Sequence, residues 1–455
     1  MPHSATPPSS SFDVFAAGHL GELTGIVPTE MVDAALEAAG GGQKRLRRLP
    51  SRVVVYLLLA GALFVGQGWQ QVWARLTAGL GVRAPRPAKS SITLAMRRVG
   101  PAPLRELFTL LAGPAPAHAG QSARFAGRLV VAIDGTQIPV ADTASNHAAF
   151  PKPRGGPNGE AGYPFLRLVA LIACGTRTVV DAVFGPDRTG ELSYARALVG
   201  ALRAGMLLLG DRNFATYQFF ADVHGAGCDF LIRAKTGNGA MSLPAQKRLP
   251  DGSYLASAKG TTVRVIDAQI HVTTDTETRT GTYWLITTLL DPGEAPAREL
   301  VRLYHERWEI ETAYCELKST ILGGRVLRGR HPAAVTQEIW ALLCAYQILR
   351  IAISDTALAR PGIDPDRLSF TTAIRAARDQ IIQAGGTITE TTIDLVGRIG
   401  TALLDDVMPA RRTRTRQRVI KRAISKYRAK GRDSIDRRTY PATLRTKILT
   451  PDPDG

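Results

Sequence analysis

The chain has 455 residues, a hydrophobic fraction of 45% and a formal net charge of +18, with a pI near 10.1. That length predicts roughly two to four domains with ample core. A cation excess of this size points to a polyanion partner, nucleic acid before a membrane surface. Cys174, Cys228, Cys315 and Cys344 form no C-x-x-C pair and no His/Cys cluster of zinc spacing, so they read as reduced thiols of a cytoplasmic protein. The start, MPHSATPPSSS, lacks a basic region followed by an apolar run and does not read as a signal peptide. The longest apolar runs, Val53–Val65 and Ile339–Ile353, are too short or too interrupted to span a bilayer and read as buried helices.

Residues 1–17, rich in Ser, Pro and Ala, read as disordered. Residues 18–118 read as a helical DNA-binding domain. Pro28 opens a helix over Thr29–Ala39 that Gly40, Gly41 and Gly42 end. The run KRLRR follows at Lys44–Arg48, then helices at Val53–Phe64 and around Gln70–Ala78. Lys89–Leu110 resembles a helix-turn-helix. Ser90 or Ser91 would cap its first helix, Arg97 and Arg98 are exposed cations, and Gly100-Pro101 makes the turn. Pro114, Pro116 and Gly120 read as a linker.

From residue 128 the pattern turns to strands. Leu129–Ile133 ends at Asp134-Gly135-Thr136. Leu166–Cys174 and Arg177–Phe184 form a hairpin around Gly175-Thr176. A helix at about Glu191–Ala204, a strand Met206–Leu209 ending at Gly210-Asp211, a helix from near Asn213 to Gly225 and a strand Asp229–Ala234 follow. This succession predicts an α/β, ribonuclease-H-like core, with Asp134 and Asp211 at the carboxyl ends of strands. Residues 236–282 carry short alternating runs, Thr262–Ile266 and Gln269–Thr273, and read as a β insertion. Tyr283–Leu290 reads as a strand. Pro332–Ile353 and Asp364–Ile382 read as helices, and Arg411–Arg432 as a basic tail contacting phosphates. The expected spans are therefore a tail at 1–17, a helical domain at 18–118, a catalytic domain at 119–353, helices at 354–410 and a basic tail at 411–455.

One helix, Tyr304–Lys318, organises the rest. Tyr304, Arg307, Glu311 and Lys318 recur at steps of three, four and seven, within an arc of roughly 60° on an α-helix. Leu303, Ile310, Leu317 and Ile321 form the apolar edge beside them, and Glu306, Glu309 and Glu316 point elsewhere, toward solvent. By residue type alone this is either a surface helix laced with ion pairs or a metal-binding Glu set among cations that hold phosphates. Two strand-borne Asp residues and a helix Glu supply the oxygen ligands that a two-metal phosphodiester site needs.

Asp134 in VVAIDGT, Asp211 in LLLGDRNFATY and the spacing Tyr304-x2-Arg307-x3-Glu311-x6-Lys318 resemble the DDE transposases of the insertion-sequence-four family. The resemblance covers about residues 18–353. It implies that Asp134, Asp211 and Glu311 are catalytic metal ligands for Mg2+, with Mn2+ as a substitute. It implies that Tyr304, Arg307 and Lys318 contact double-stranded DNA at the element's ends, and that a homodimer pairs two ends. Arg97, Arg98 and Arg212 are further candidate DNA contacts. In relatives a Trp of the insertion stacks on a flipped base; here the insertion reaches a Trp only at its edge, Trp284, and the role is not assigned. The expected function is a bacterial, cytoplasmic, nucleoid-associated transposase that cleaves phosphodiester bonds at its ends and joins 3'-hydroxyls to target DNA. The alternatives are a nuclease of the same fold that cuts without joining, and a catalytically inactive DNA-binding descendant.

Overall fold

The computed structural model describes residues 19–40, 49–79, 86–113, 123–153, 162–275, 278–383, 397–409, 414–416, 439–441 and 443–449. The expected tail at 1–17, the run Lys44–Arg48, the linker at 114–120 and most of the basic stretch Arg411–Arg432 lie outside the described residues. By contact the chain forms two compact units. One is Met1–His118 with Cys315–Met408, and the other is Ala119–Tyr314 with Pro409–Gly455. This partition differs from the expected spans, because the chain from Cys315 onward groups with the amino-terminal helices.

The second unit is built on a mixed sheet. Its strands are β1 (Arg128–Pro139), β2 (Phe165–Ala173), β3 (Val179–Pro186), β4 (Met206–Gly210) and β5 (Asp229–Ala234). Their order across the sheet is β3-β2-β1-β4-β5. β1, β2 and β3 pair antiparallel, while β4 runs parallel to both β1 and β5. A right-handed α crossover is the usual way to join parallel neighbours, and the helices Glu191–Ala197 and Tyr217–Gly225 occupy those connections. This is the ribonuclease-H-like core expected from the sequence. Strand β4, MLLLG, is buried at all five positions, as a central parallel strand covered on both faces must be. On one face Val131, Ile133, Leu208, Phe230 and Ile232 pack with Tyr194, Ala195, Phe219, Phe220 and Val223 of the two helices.

The expected β insertion is not a separate module. Strands β6 (Lys247–Arg248), β7 (Tyr254–Ala258), β8 (Thr261–Thr273) and β9 (Thr278–Thr287) continue the same sheet beyond β5, in the order β9-β8-β7-β6. The two alternating runs expected at 262–273 are one strand, and β9 starts before the predicted Tyr283. Thr443–Ile448 adds a further strand antiparallel to β8, so part of the expected basic tail is sheet. Arg264 of β8 is fully buried. Its guanidinium donates to Ser253 Oγ (2.8 Å) and to the carbonyls of Ala295 (2.7 Å) and Leu289 (3.3 Å), and it pairs with Asp251.

The first unit is helical. Lys89–Val99 packs on Ser51–Leu63, whereas Ala102–Ala112 packs on Thr29–Ala38 and on the long helix Pro332–Leu358. The turn at Gly100 takes φ +67°, which suits glycine. Neither expected serine caps the first helix: it starts at Lys89, with Ala88 at the cap. Arg97 is exposed, and Arg98 donates to the Leu49 carbonyl at 2.6 Å. Pro332–Leu358 is 27 residues, longer than expected, and is long and apolar enough to cross a bilayer by length and composition. Most of it is buried inside the unit instead.

The buried Arg264 yields a stability test. Asp251→Ala leaves that cation without its carboxylate in the sheet interior, and losing one partner of a buried pair costs about 3 kcal/mol or more. Urea unfolding of the variant should show that loss; a change below about 1 kcal/mol, the scale of a surface pair, would mean the carbonyls and Ser253 satisfy Arg264 alone.

Candidate active site

The two aspartates are brought together by strand register. β1 and β4 pair in parallel with Ala132 opposite Leu209. Two residues on, the same register sets Asp134 beside Asp211. With the period of two, both share a face with Ala132 and Leu209, opposite the face of Val131 and Leu208. Asp211 follows the last residue of β4, as expected. Asp134 does not end its strand: β1 runs on to Pro139, and Asp134 lies opposite Ala170 of β2. It stands where the parallel pairing ends, not where the strand ends.

The third carboxylate comes from the chain segment over that face. The expected single α-helix is a 3-10 turn at Tyr304–Arg307, an α-helix at Trp308–Cys315 and a π-turn at Glu316–Ile321. The 3-10 turn packs on β1 and β4. Arg307, 8% exposed, donates from Nη1 to Asp134 Oδ2 (3.2 Å) and from Nη2 to Glu311 Oε1 (2.8 Å). One guanidinium thus joins the first and third members of the expected triad, using the fork geometry that Lys lacks.

Three contacts hold the segment in place. The Tyr314 hydroxyl donates to the Asp134 carbonyl (2.6 Å) and accepts from the Ala170 amide (3.1 Å), so it sits between two residues that face each other across β1 and β2. Glu309, 1% exposed, pairs with buried Arg177 in the β2–β3 turn. The Cys174 thiol donates to the Glu306 carbonyl at 3.6 Å. The expectation of solvated glutamates therefore holds for Glu306, which is exposed, and fails for Glu309. It fails for Glu316 as well, which pairs with fully buried Arg350 in the helical unit and accepts from Tyr346 (3.2 Å). These charges are buried because each has a cation whose distance along the chain hides it from the sequence.

Tyr304 is 5% exposed and meets Tyr283 of β9 edge-on, ring centres 5.7 Å apart, with Arg233 stacked over the other ring at 4.1 Å. Burial raises the Tyr304 phenol above its usual range. Arg212 is exposed. Lys318 lies on the π-turn, in the other compact unit from Glu311.

A residue absent from the sequence expectation also reaches the aspartates. Glu191, at the start of its helix, accepts from the Asn213 side-chain amide at 3.3 Å, and Asn213 donates its own backbone N–H to Asp211 Oδ1 at 2.8 Å. Burial pushes the Asp134 carboxyl up from 3.8 to about 7, Arg307 opposing and Asp211 and Glu191 adding to the rise. Burial first, then the Asp211 charge, raises Glu191 too. Burial works against the Arg307 cation, but Tyr304, Asp134 and Glu311 more than offset it and hold its pKa above the ordinary value. Among the described residues no three His, Cys, Asp or Glu side chains converge closely enough to chelate one ion as they stand. The site is a row of carboxylates with the Arg307 guanidinium inserted between Asp134 and Glu311.

The amino-terminal part of the sequence matches the Insertion element 4 transposase N-terminal family over residues 17–109, and the central part matches the Transposase DDE domain over residues 125–348. The chain belongs to the insertion-sequence-four family of DDE transposases. The transposase is 26% identical to Transposase InsG for insertion sequence element IS4 of Escherichia coli K12, over 88% of this chain and 91% of that protein. It is 27% identical to the Putative transposase InsZ of the same organism, over 50% of this chain and 72% of the relative. A cryo-EM structure of a piggyBac transposase synaptic complex with hairpin DNA overlays at TM-score 0.41 and 11% identity, covering 86% of this chain and 84% of that one. The transposase acts on DNA, cutting phosphodiester bonds and joining 3'-hydroxyls, and depends on divalent metal ions.

The raised Asp134 carboxyl predicts a pH-dependent penalty in metal-free buffer. Below the unfolded value of 3.8 the group is neutral in both states; between there and about 7 only the unfolded chain ionises, and the penalty grows. Asp134→Asn should therefore be more stable than the parent at pH 8, by on the order of 4 kcal/mol, with the gain fading toward pH 4. Parallel stability-versus-pH curves for the two proteins would contradict this.

Proposed function

We propose that Asp134, Asp211 and Glu311 hold two divalent ions, Mg2+ in the cell with Mn2+ as a working substitute. The observation that supports the reading is that strand register sets the two aspartates on one sheet face and Arg307 bridges Asp134 to Glu311. The donor set fits, because carboxylate oxygens are the hard ligands such ions prefer. When bound, such ions activate a water or 3'-hydroxyl and stabilise the leaving oxygen of a phosphodiester.

The protein's own groups then have distinct tasks. The carboxylates set where hard cations gather. Arg307 positions Glu311 and Asp134, and with Tyr304 and Lys318 it orients the DNA backbone at the element's end. Arg suits bidentate phosphate contact, whereas Lys acts as a point charge. Arg212, exposed beside Asp211, is a further backbone contact. Arg97 and Arg98 belong to the helical unit at 18–118, which supplies preference for the terminal sequence. The helix pair there packs on different partners, so any groove contact uses the exposed side of Lys89–Val99, where Arg97 lies. The active assembly is a homodimer pairing two ends, working on DNA in the bacterial cytoplasm.

The test is cleavage and strand joining on duplexes carrying the element's own terminal repeats, in Mg2+. Glu311→Ala should lose cleavage by several orders of magnitude while still binding those ends. Robust product would remove Glu311 from the ligand set. Cleavage by the parent without joining would select the nuclease reading, and no cleavage on verified ends would select an inactive descendant. Arg307→Lys should recover part of the activity lost in Arg307→Ala, because it restores charge without the planar fork; full recovery would reduce Arg307 to a point charge.

A further inference from the structure

We propose that Glu191 is a fourth carboxylate of the cleft, directed at the same hard divalent cations as Asp134 and Asp211 but reaching them from the opposite face of the sheet. The inference rests on the reading of the triad as metal-holding and goes beyond it.

The placement is set by packing. Helix Glu191–Ala197 lies on β2 and β3, with Tyr194 and Ala195 in the core on the face away from Asp134 and Asp211. Its first residue comes up beside the loop that follows β4. There Glu191 lies directly against the backbone next to Asp134. A Cβ built on Gly135 would fall 2.0 Å from Glu191 Oε1 and 2.9 Å from its Cδ. Gly135 is not needed for an unusual φ, since it is absent from the positive-φ glycines; the carboxylate occupies the volume that any larger residue would fill. The other oxygen accepts from Asn213, two residues past Asp211. Glu191 thus sits between the residue after the first aspartate and the loop after the second.

Arg167 faces Glu191, but its guanidinium donates to the carboxylate of Asp187 at 2.6 Å. Among the described residues Glu191 has no ion-pair partner within 4.0 Å. Glu311 approaches the aspartate row over one face and Glu191 over the other. Two ions, each needing oxygens on more than one side, would find donors on both.

The experiment uses the full chain without DNA. Mn2+ binding is followed by the loss of free Mn2+ signal in electron paramagnetic resonance, and in parallel by the rise in thermal midpoint with Mn2+ concentration. A ligand that binds only the folded state raises that midpoint by mass action. Glu191→Gln keeps the shape and the acceptor for Asn213, so a structural role survives the change and a ligand role does not. The expected result is a Mn2+ affinity weaker by about tenfold or more, with end binding in metal-free buffer unchanged. Gly135→Ala, which displaces the carboxylate without removing it, should weaken Mn2+ in the same direction. Each protein is compared with itself with and without Mn2+, so a change in baseline stability does not confuse the reading. Parental Mn2+ dependence in Glu191→Gln overturns the assignment. No Mn2+ response in the parent protein overturns the metal reading of the triad itself.

Discussion

The site depends on one electrostatic constraint: carboxylates gathered at the end of a parallel strand pair cannot all stay ionised without a cation among them. Burial raises the Asp134 and Glu191 carboxyls, and the Asp211 charge adds to the rise of both. Arg307 is the fold's own answer. Its two arms reach Asp134 and Glu311, and its charge is held by carboxylates and a phenol in a place that would otherwise disfavour it. The same guanidinium therefore couples a strand to a helix and fixes the separation of two acidic groups.

Precision in the site comes from the backbone more than from the helix. Tyr314 places its hydroxyl between the carbonyl of Asp134 and the amide of Ala170, so it tethers the helical segment to the backbone of the first aspartate. Glu309 with Arg177 and the Cys174 thiol with the Glu306 carbonyl add two anchors in and beside the β2–β3 turn. A buried pair such as Glu309–Arg177 is weak evidence for stability, since desolvation offsets attraction. Its value here is positional: the turn, the 3-10 segment and the strand bearing Asp134 cannot drift independently. Local irregularity serves the same end. A 3-10 turn before the α-helix and a π-turn after it change the angle at which successive side chains leave the axis.

The sequence made much of this legible, and the reasons separate cleanly. Strand and helix identities followed from period, so β5 at Asp229–Ala234 and the hairpin about Gly175 come out as read. The spacing of Arg307 and Glu311 signalled an i,i+4 pair, which the structure contains. What sequence could not carry was the partner at a distance. Glu309 reads as solvated because Arg177 is 132 positions away, and nothing local signals the bond of Tyr314 to Asp134, 180 positions away. Glu191 gave no local sign, as a Glu at the start of a helix is ordinary capping chemistry; the only hint was a glycine next to Asp134. Asp134 reads as a strand end because the apolar run stops at Ile133, whereas β1 runs on and Gly135 leaves room for the Glu191 carboxylate.

The continuation of the sheet through β9 changes what the inserted strands can do. A module on a flexible tether would meet the cleft only when DNA drew it in. Here β9 is hydrogen-bonded to β5 over Leu231–Ala234, and β5 is a neighbour of the strand that ends at Asp211. Tyr283 on β9 is thereby placed against Tyr304, with Arg233 of β5 stacked on it. The aromatic pair forms one wall beside the carboxylates, and its rigidity is that of the sheet itself. Trp284, the next residue on β9, points to the other side by the period of two and packs against the core cluster. The wall beside the candidate site is therefore tyrosine and arginine, carried on the paired strands β5 and β9 and on the 3-10 turn.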